Sequence, residues 1–439
     1  MFIRVTFAIL VSILLIVPAK SQEIKKTGGF ARISGMGANP YIVDPFFMTV
    51  NPAWGAYYDN FLFGDLGAST TGSSTAVDFS AGGIGQFFAA NFGLGNNLTL
   101  GGFLSRNDFP SLAITSPDPL SNLSLIPGLN YDLGVVSRIN KLGISPTVVP
   151  LNNNVELFGT LRKSRIIFGL GLSYATTTNE INNAGNPPVG GLTQATASQF
   201  GVNGGILVDF TSRLRLDAGI SLIFPNANFK PPIGAETSVS ETIFIVDTRL
   251  FAKLSSKVSL VPLFQFVTSS GTQNLGLNDS TLSTDIPSLT AFKIGLGGTY
   301  SVGDFLLAGG LSLANASITT PSTPGTPELS NSYFVFPVWN IGLEWDMTDW
   351  FVARLGYVAT TAKQTIESPA TQTPVLTDKN ESIRTLFLGP NGATVGVGFR
   401  FGDFSMDATV NEGVLRQGLN NIGGGGPTFA YLSVSYVLP

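Results

Sequence analysis

From about residue 61 onward the chain is written in alternate residues. Phe200, Val202, Gly204, Ile206, Val208 and Phe210 fall on one face, and Gly201, Asn203, Gly205 and Asp209 on the other. Leu214, Leu216, Ala218, Ile220, Leu222 and Phe224 oppose Arg215, Asp217, Gly219 and Ser221 in the same way. A period of two predicts strands. The stretch 333–345 carries the pattern furthest. Tyr333, Val335, Pro337, Trp339, Ile341, Leu343 and Trp345 form an apolar face with an aromatic ring at each end. Phe334, Phe336, Val338, Asn340, Gly342 and Glu344 form the other face. Twelve steps of about 3.3 Å, tilted by about 40°, cover roughly 30 Å of height, close to a bilayer core. The pattern therefore puts Tyr333, Trp339 and Trp345 toward lipid and Asn340, Gly342 and Glu344 inward.

The strands come in pairs around very short turns: 95–97, 163–164, 211–213, 255–256, 302–303, 347–349 and 402–403. Long polar or Gly/Pro-rich loops separate the pairs, at about 107–153, 177–197, 225–240, 269–289, 317–332, 362–390 and 415–427. Seven hairpins give fourteen strands, and the segments 61–69 and 428–438 bring the count to sixteen. Short turns at one end and long loops at the other match bacterial outer-membrane barrels. The expected fold is all-β, a transmembrane antiparallel β-barrel of 14–16 strands occupying 61–439.

Composition sharpens this. Only 12% of residues are charged, against about 25% in a soluble domain. Beyond the first residues no apolar run is long enough for a spanning helix, and only helices and closed barrels satisfy their backbone in lipid. The sequence contains no histidine and no cysteine. That excludes Ser-His and Cys-His nucleophiles and any His or Cys zinc site, so neither an enzyme nor a cofactor is expected. The net charge of −4, with no basic clusters, leaves no footprint for nucleic acid.

The N-terminus differs from the rest. Arg4, an apolar run over 5–17 and the small residues Ala19 and Ser21 read as a signal peptide over 1–21. Residues 22–60 are punctuated by Gly28-Gly29, Gly35, Gly37, Asn39-Pro40, Asp44-Pro45 and Asn51-Pro52-Ala53, which make turns. Phe46, Phe47, Trp54, Tyr57 and Tyr58 are too aromatic for a disordered tail, so an N-terminal hatch is expected, with Asn51, Pro52 and Ala53 turning near the wall.

Charge and apolar character separate by height on the inward face. Near the short turns it carries Asp209, Arg215, Asp217, Lys253, Lys293, Glu344 and Arg400. Further up, Ile223, Val267, Phe334, Phe336 and Val358 make it apolar, which suits an apolar ligand. Arg249 and Lys293 are the inward cations expected to hold a carboxylate head. The apolar residues of loop 107–153, such as Leu112, Leu120 and Leu123, suggest a capture surface or a lid.

Gly35-Met36-Gly37, Asp44, Asn51-Pro52-Ala53, the run 203–209 and Pro225-Asn226-Ala227 resemble the FadL family of outer-membrane transporters for long-chain fatty acids and other hydrophobic compounds. The resemblance implies a hatch plugging a barrel in the bacterial outer membrane, capture by an extracellular loop and sideways release into the membrane. Members of that family have fourteen strands, two fewer than the count here. The implied function is passive uptake of hydrophobic small molecules, with membrane lipid and a hydrophobic ligand as partners. PorV-like secretion proteins resemble the same family. They supply the alternative, a barrel serving a protein partner in secretion or assembly without small-molecule flux.

Overall fold

The computed structural model describes residues 24–65, 87–105, 135–143, 146–148, 154–182, 192–277, 280–322, 327–369, 379–387, 392–410 and 429–439. The expected signal peptide and most of loop 107–153 lie outside the described residues. Among the described residues there are eighteen strands, all paired antiparallel in one sheet. In chain order they are β1 (Phe61–Asp65), β2 (Phe87–Gly93), β3 (Leu98–Ser105), β4 (Asn154–Lys163), β5 (Ile166–Asn182), β6 (Leu192–Thr211), β7 (Leu214–Lys230), β8 (Thr237–Lys253), β9 (Val258–Leu277), β10 (Ser280–Asp285), β11 (Ser288–Val302), β12 (Phe305–Thr320), β13 (Leu329–Asp346), β14 (Phe351–Pro369), β15 (Lys379–Phe387), β16 (Gly392–Phe401), β17 (Phe404–Val410) and β18 (Phe429–Val437).

β1 pairs with β2 on one edge and β18 on the other, so the sheet closes. Closure removes the exposed edges that lipid cannot satisfy. Two staves of the wall are broken. β9 pairs with β10 above and β11 below, and β14 pairs with β15 above and β16 below. Counting each broken stave once gives a barrel of sixteen. All seven expected short turns join consecutive strands. Ser164, Gly303 and Gly402 in those turns have positive φ, the left-handed conformation that two-residue hairpins require.

The outer face is apolar. Ile220 and Leu222 on β7, Ile294 and Leu296 on β11, and Leu355 and Tyr357 on β14 are all exposed. Phe305 and Trp345 stack at 5.3 Å near the short turns, and Phe399 and Phe401 stack at 6.5 Å beside them. A continuous exposed belt of this size needs a hydrocarbon solvent.

Above the belt the strands run farther than the sequence suggested. β7 continues to Lys230 and β8 starts at Thr237, so most of the expected loop 225–240 is sheet. The outward residues there are Asn226, Asn228, Ser238 and Ser240. With water on the outside, apolar alternation disappears although the ladder persists.

One expectation about register is corrected. In β13, Ser312 pairs with Val338 and Ala314 with Val335, so β13 holds one extra residue against both neighbours. The bulge falls at Phe336-Pro337. Proline has no N–H to give to the ladder, and an inserted residue reverses the inside-outside alternation. Below the bulge the expected faces hold: Trp339, Ile341 and Trp345 are exposed, and Asn340 and Glu344 are buried inward. Above it they invert. Tyr333 and Val335 point into the barrel, and Phe334 and Phe336 point out.

Candidate functional site

The inner wall of β7–β9 and β11–β14 carries one apolar cluster on the loop side of the charged level. Its members include Ile223, Ile243, Val267, Leu289, Tyr333 and Val335, with Val338 and Ala362 beside them. Each lies on the inward parity of its strand, so the cluster is continuous across neighbouring staves. Its upper rim is polar: Asn331 and Gln364 donate to the Tyr333 hydroxyl at 2.9 Å each. A second apolar cluster lies nearer the loops, where the short helix Val135–Asn140 sets Val135 and Ile139 against Ala227 and Val239. This piece of loop 107–153 therefore lies inside the barrel mouth.

The floor of the first cluster is the N-terminal segment. It enters with the short helix Phe30–Gly35, makes 3-10 turns at Pro45–Thr49 and Pro52–Tyr57, and reaches the wall at β1. Proline at the first position of each 3-10 turn, capped by Asp44 and Asn51, sets these turns locally. Inward glycines make room for it. A Cβ at Gly219 would sit 2.6 Å from the Val50 carbonyl oxygen, and one at Gly342 would sit 2.6 Å from the Met36 carbonyl oxygen. The Tyr41 ring likewise lies against Gly297 and Gly310, where a Cβ would come within 2.5 Å.

Buried charges fasten this segment at two places. On one side Arg32 donates from Nε to Glu344 at 2.7 Å, from Nη2 to Glu344 at 3.1 Å and from Nη1 to Asp44 at 3.0 Å. Arg354 Nε donates to the same Glu344 at 2.7 Å, and its Nη1 lies 2.7 Å from Asp407. On the other side Asn51 and the Trp54 indole N–H both donate to Asp217, at 2.6 and 3.1 Å. Arg249 completes that side, donating to Asp217 at 2.6 Å and to the carbonyls of Pro40 and Ile42. Its guanidinium also lies 3.7 Å over the Phe47 ring. Burial pushes the Asp44 carboxyl up to about 6, against the opposing pull of Arg32.

Lys293 sits where floor and apolar wall meet. It is 3% exposed, inward on β11, two residues below Ala291 of the cluster and two above Gly295, which touches Tyr41. Asp247 lies nearby but accepts a hydrogen bond from Gln265. Among the described residues no ion-pair or hydrogen-bond partner of the Lys293 ammonium is found.

The structure sorts the sequence candidates. Ile223 and Val267 are in the apolar cluster. Val358 is inward and buried but pairs with Asn340, which holds the Gly37 and Ala38 carbonyls, so it belongs to the level of the N-terminal segment. Asn51, Pro52 and Ala53 form the expected turn against β5–β7. Arg249 is corrected: its donors are committed to Asp217 and to backbone carbonyls. Phe334 and Phe336 are corrected too. They are 46% and 48% exposed on the outer face because the bulge reverses their parity. Tyr333, Val335 and Val338 take their places. Pro337 inside an otherwise regular strand was the signal that could have found them. Arg32 was also missed; an arginine among glycines and aromatics has few local partners and must find one across the fold.

No protein-family model matches the chain, and no curated protein matches it. Among solved structures it is similar to a FadL homologue of Pseudomonas aeruginosa, at 14% identity over 96% of this chain and 99% of that one, with a TM-score of 0.38. It is also similar to the toluene transporter TodX of P. putida, at 10% identity over 94% and 99%, with a TM-score of 0.34. The FrpB iron transporter from Neisseria meningitidis matches at 10% identity over 80% and 68%, with a TM-score of 0.36. The barrel assignment rests on the closed strand ring itself.

Proposed function

We propose that this protein is a bacterial outer-membrane channel for passive uptake of hydrophobic small molecules, with residues 22–60 acting as its hatch. The observation that carries the proposal is the apolar inner wall around Ile223, Val267, Leu289, Val335 and Val338, floored by the N-terminal segment and bearing one buried cation, Lys293. A water-filled pore would line this level with polar and charged groups. An apolar wall instead holds an alkyl chain at about 25 cal/mol per Å² buried, without any catalytic group. The ammonium of Lys293 gives a charge-assisted partner to a carboxylate head, which favours a fatty-acid-like anion over a neutral hydrocarbon. Arg249 does not serve this role. Passage toward the inner side of the membrane requires the hatch to shift, since the segment fills the level below.

Native mass spectrometry of the detergent-released barrel tests this by counting ligands per protein after exposure to dodecanoate or dodecanol. We expect retained dodecanoate. Val335→Asp with Val338→Asp should lose it, and Lys293→Gln should lose the preference for the acid over the alcohol. An assembled wild-type barrel that retains neither compound contradicts the proposal and favours the secretion-partner alternative.

A further inference from the structure

A second, separate pocket opens at the short-turn end, under the N-terminal segment. It is a cavity of about 40 Å³ between the turns of β6–β7 and β8–β9. Three cations line it, Arg215 and the pair Arg213 and Lys253. Arg213 and Lys253 are cross-strand neighbours, with the Lys253 N–H donating to the Arg213 carbonyl at 2.8 Å. The turn fixes Arg213 in place: the Thr211 hydroxyl accepts from the Arg213 and Leu214 N–H groups at 3.1 Å each. Arg213 is 7% exposed, and its Nη2 is buried without a hydrogen-bond partner. Among the described residues neither Arg213 nor Lys253 makes an ion pair or a side-chain hydrogen bond.

The contrast with Arg215 in the same pocket is instructive. Arg215 donates to Asp209 at 2.6 and 3.2 Å and to the Tyr57 hydroxyl at 2.7 Å, and it lies 4.6 Å from the Tyr57 ring centroid. It consumes the one carboxylate that lines the cavity, Asp209. The other two cations remain uncompensated. A guanidinium left buried with an unmade hydrogen bond is costly, and an anion relieves that cost. Much of the rest of the lining is apolar and aromatic. Trp54 and Phe251 meet edge to face at 6.2 Å, beside Ile24 and Val43. Ser259, directly across from Lys253, adds a hydroxyl.

We propose that this pocket binds a small carboxylate carrying a short apolar body. The carboxylate sits between Arg213 and Lys253, in reach of a forked guanidinium, and the body lies against Trp54 and Phe251. The space suits a carboxylate with a few methylenes. Lys293 lies on the far side of the hatch, so the pocket is independent of the lumen site and needs no flux through the barrel.

The test is calorimetric titration of the full chain in nanodiscs with butyrate, butanol and inorganic phosphate, against empty nanodiscs. Saturable binding of butyrate is the expected result, with butanol at least about tenfold weaker for want of the charge-assisted hydrogen bond and phosphate weaker for want of the apolar body. Arg213→Gln and Lys253→Gln should each weaken butyrate by about tenfold. Arg213→Lys should keep part of the affinity, the charge without the fork, and Lys163→Gln, an exposed cation of the β4–β5 turn outside the pocket, should leave it unchanged. Heat-shifted gel migration confirms that each variant is assembled, and the two Gln variants report independently if one fails to assemble. Unchanged butyrate binding in assembled Arg213→Gln overturns the proposal. So does equal binding of butanol, which would mean simple partitioning, or equal binding of phosphate, which would mean an unselective cationic mouth. Loss of butyrate binding in assembled Lys163→Gln would mean a general response to surface charge and overturn it as well.

Discussion

Glu344 joins the N-terminal segment, the proposed hatch, to the wall, and neutralising it should loosen that joint without dismantling the barrel. Its carboxylate accepts two hydrogen bonds from Arg32 of the hatch and one from Arg354 of β14. All three side chains are at least nine-tenths buried. Breaking an interior ion pair by removing one charge costs about 3–5 kcal/mol. Glu344→Gln keeps the volume, and Asp44 still faces Arg32 while Asp407 still faces Arg354. The lower end, about 3 kcal/mol, therefore applies. At about 1.4 kcal/mol per factor of ten, the undocked fraction of the hatch rises by about 10²-fold. The chain has no cysteine, so a single Met48→Cys gives a clean reporter. Met48 is fully buried in the hatch. Its labelling by a water-soluble maleimide follows the open population when closing is faster than reaction. We expect Met48→Cys to label about 10²-fold faster in the Glu344→Gln background, with heat-shifted gel migration unchanged. Equal labelling rates in two assembled proteins would refute the role assigned to Glu344.

Further outcomes are expected. Ile341→Arg, on the exposed face of β13 below the bulge, should cost about 2–4 kcal/mol in urea unfolding from lipid vesicles. Gly219→Val should push the Val50 carbonyl off the wall and raise Met48→Cys labelling, because the added Cβ has no room. The hatch should be held better at pH 5 than at pH 7. Burial raises the folded Asp44 carboxyl from 3.8 to about 6, so its contribution to docking is full below the unfolded value and fades as pH rises through about 6. Labelling of Met48→Cys, normalised to a free cysteine peptide, should rise about tenfold from pH 5 to 7, and Asp44→Asn should flatten that rise. Phe334→Asp with Phe336→Asp should impair membrane assembly and leave ligand retention per assembled barrel intact, since both rings face outward.

The barrel was legible because lipid outside and side chains inside impose one rule on every strand. The seven turns and the alternation of β6, β7 and the lower half of β13 followed from that rule alone. It weakened where its physical cause weakened. Above the belt, water lies outside, so Asn226 and Ser238 looked like loop although they are strand. At Pro337 a missing N–H inserted one residue and turned Phe334 and Phe336 outward, which alternation cannot foresee without the partner strands. The site was half legible for a similar reason. Ile223 and Val267 kept regular parity and lie in the apolar cluster, and Lys293 lies buried at its base. Arg249 also kept parity, but its commitment to Asp217 and to the carbonyls of Pro40 and Ile42 depends on where the hatch lies. Long-range pairs such as Arg32 with Glu344, 312 residues apart, leave no local trace.

The most direct test is uptake across a real outer membrane. A bacterial host lacking its own outer-membrane transporter for hydrophobic compounds would express this chain and be given radiolabelled dodecanoate. We expect accumulation above the empty host, lost in an assembled Val335→Asp, Val338→Asp double variant. A wild-type barrel that assembles in the outer membrane and takes up no more dodecanoate than the empty host would contradict the channel.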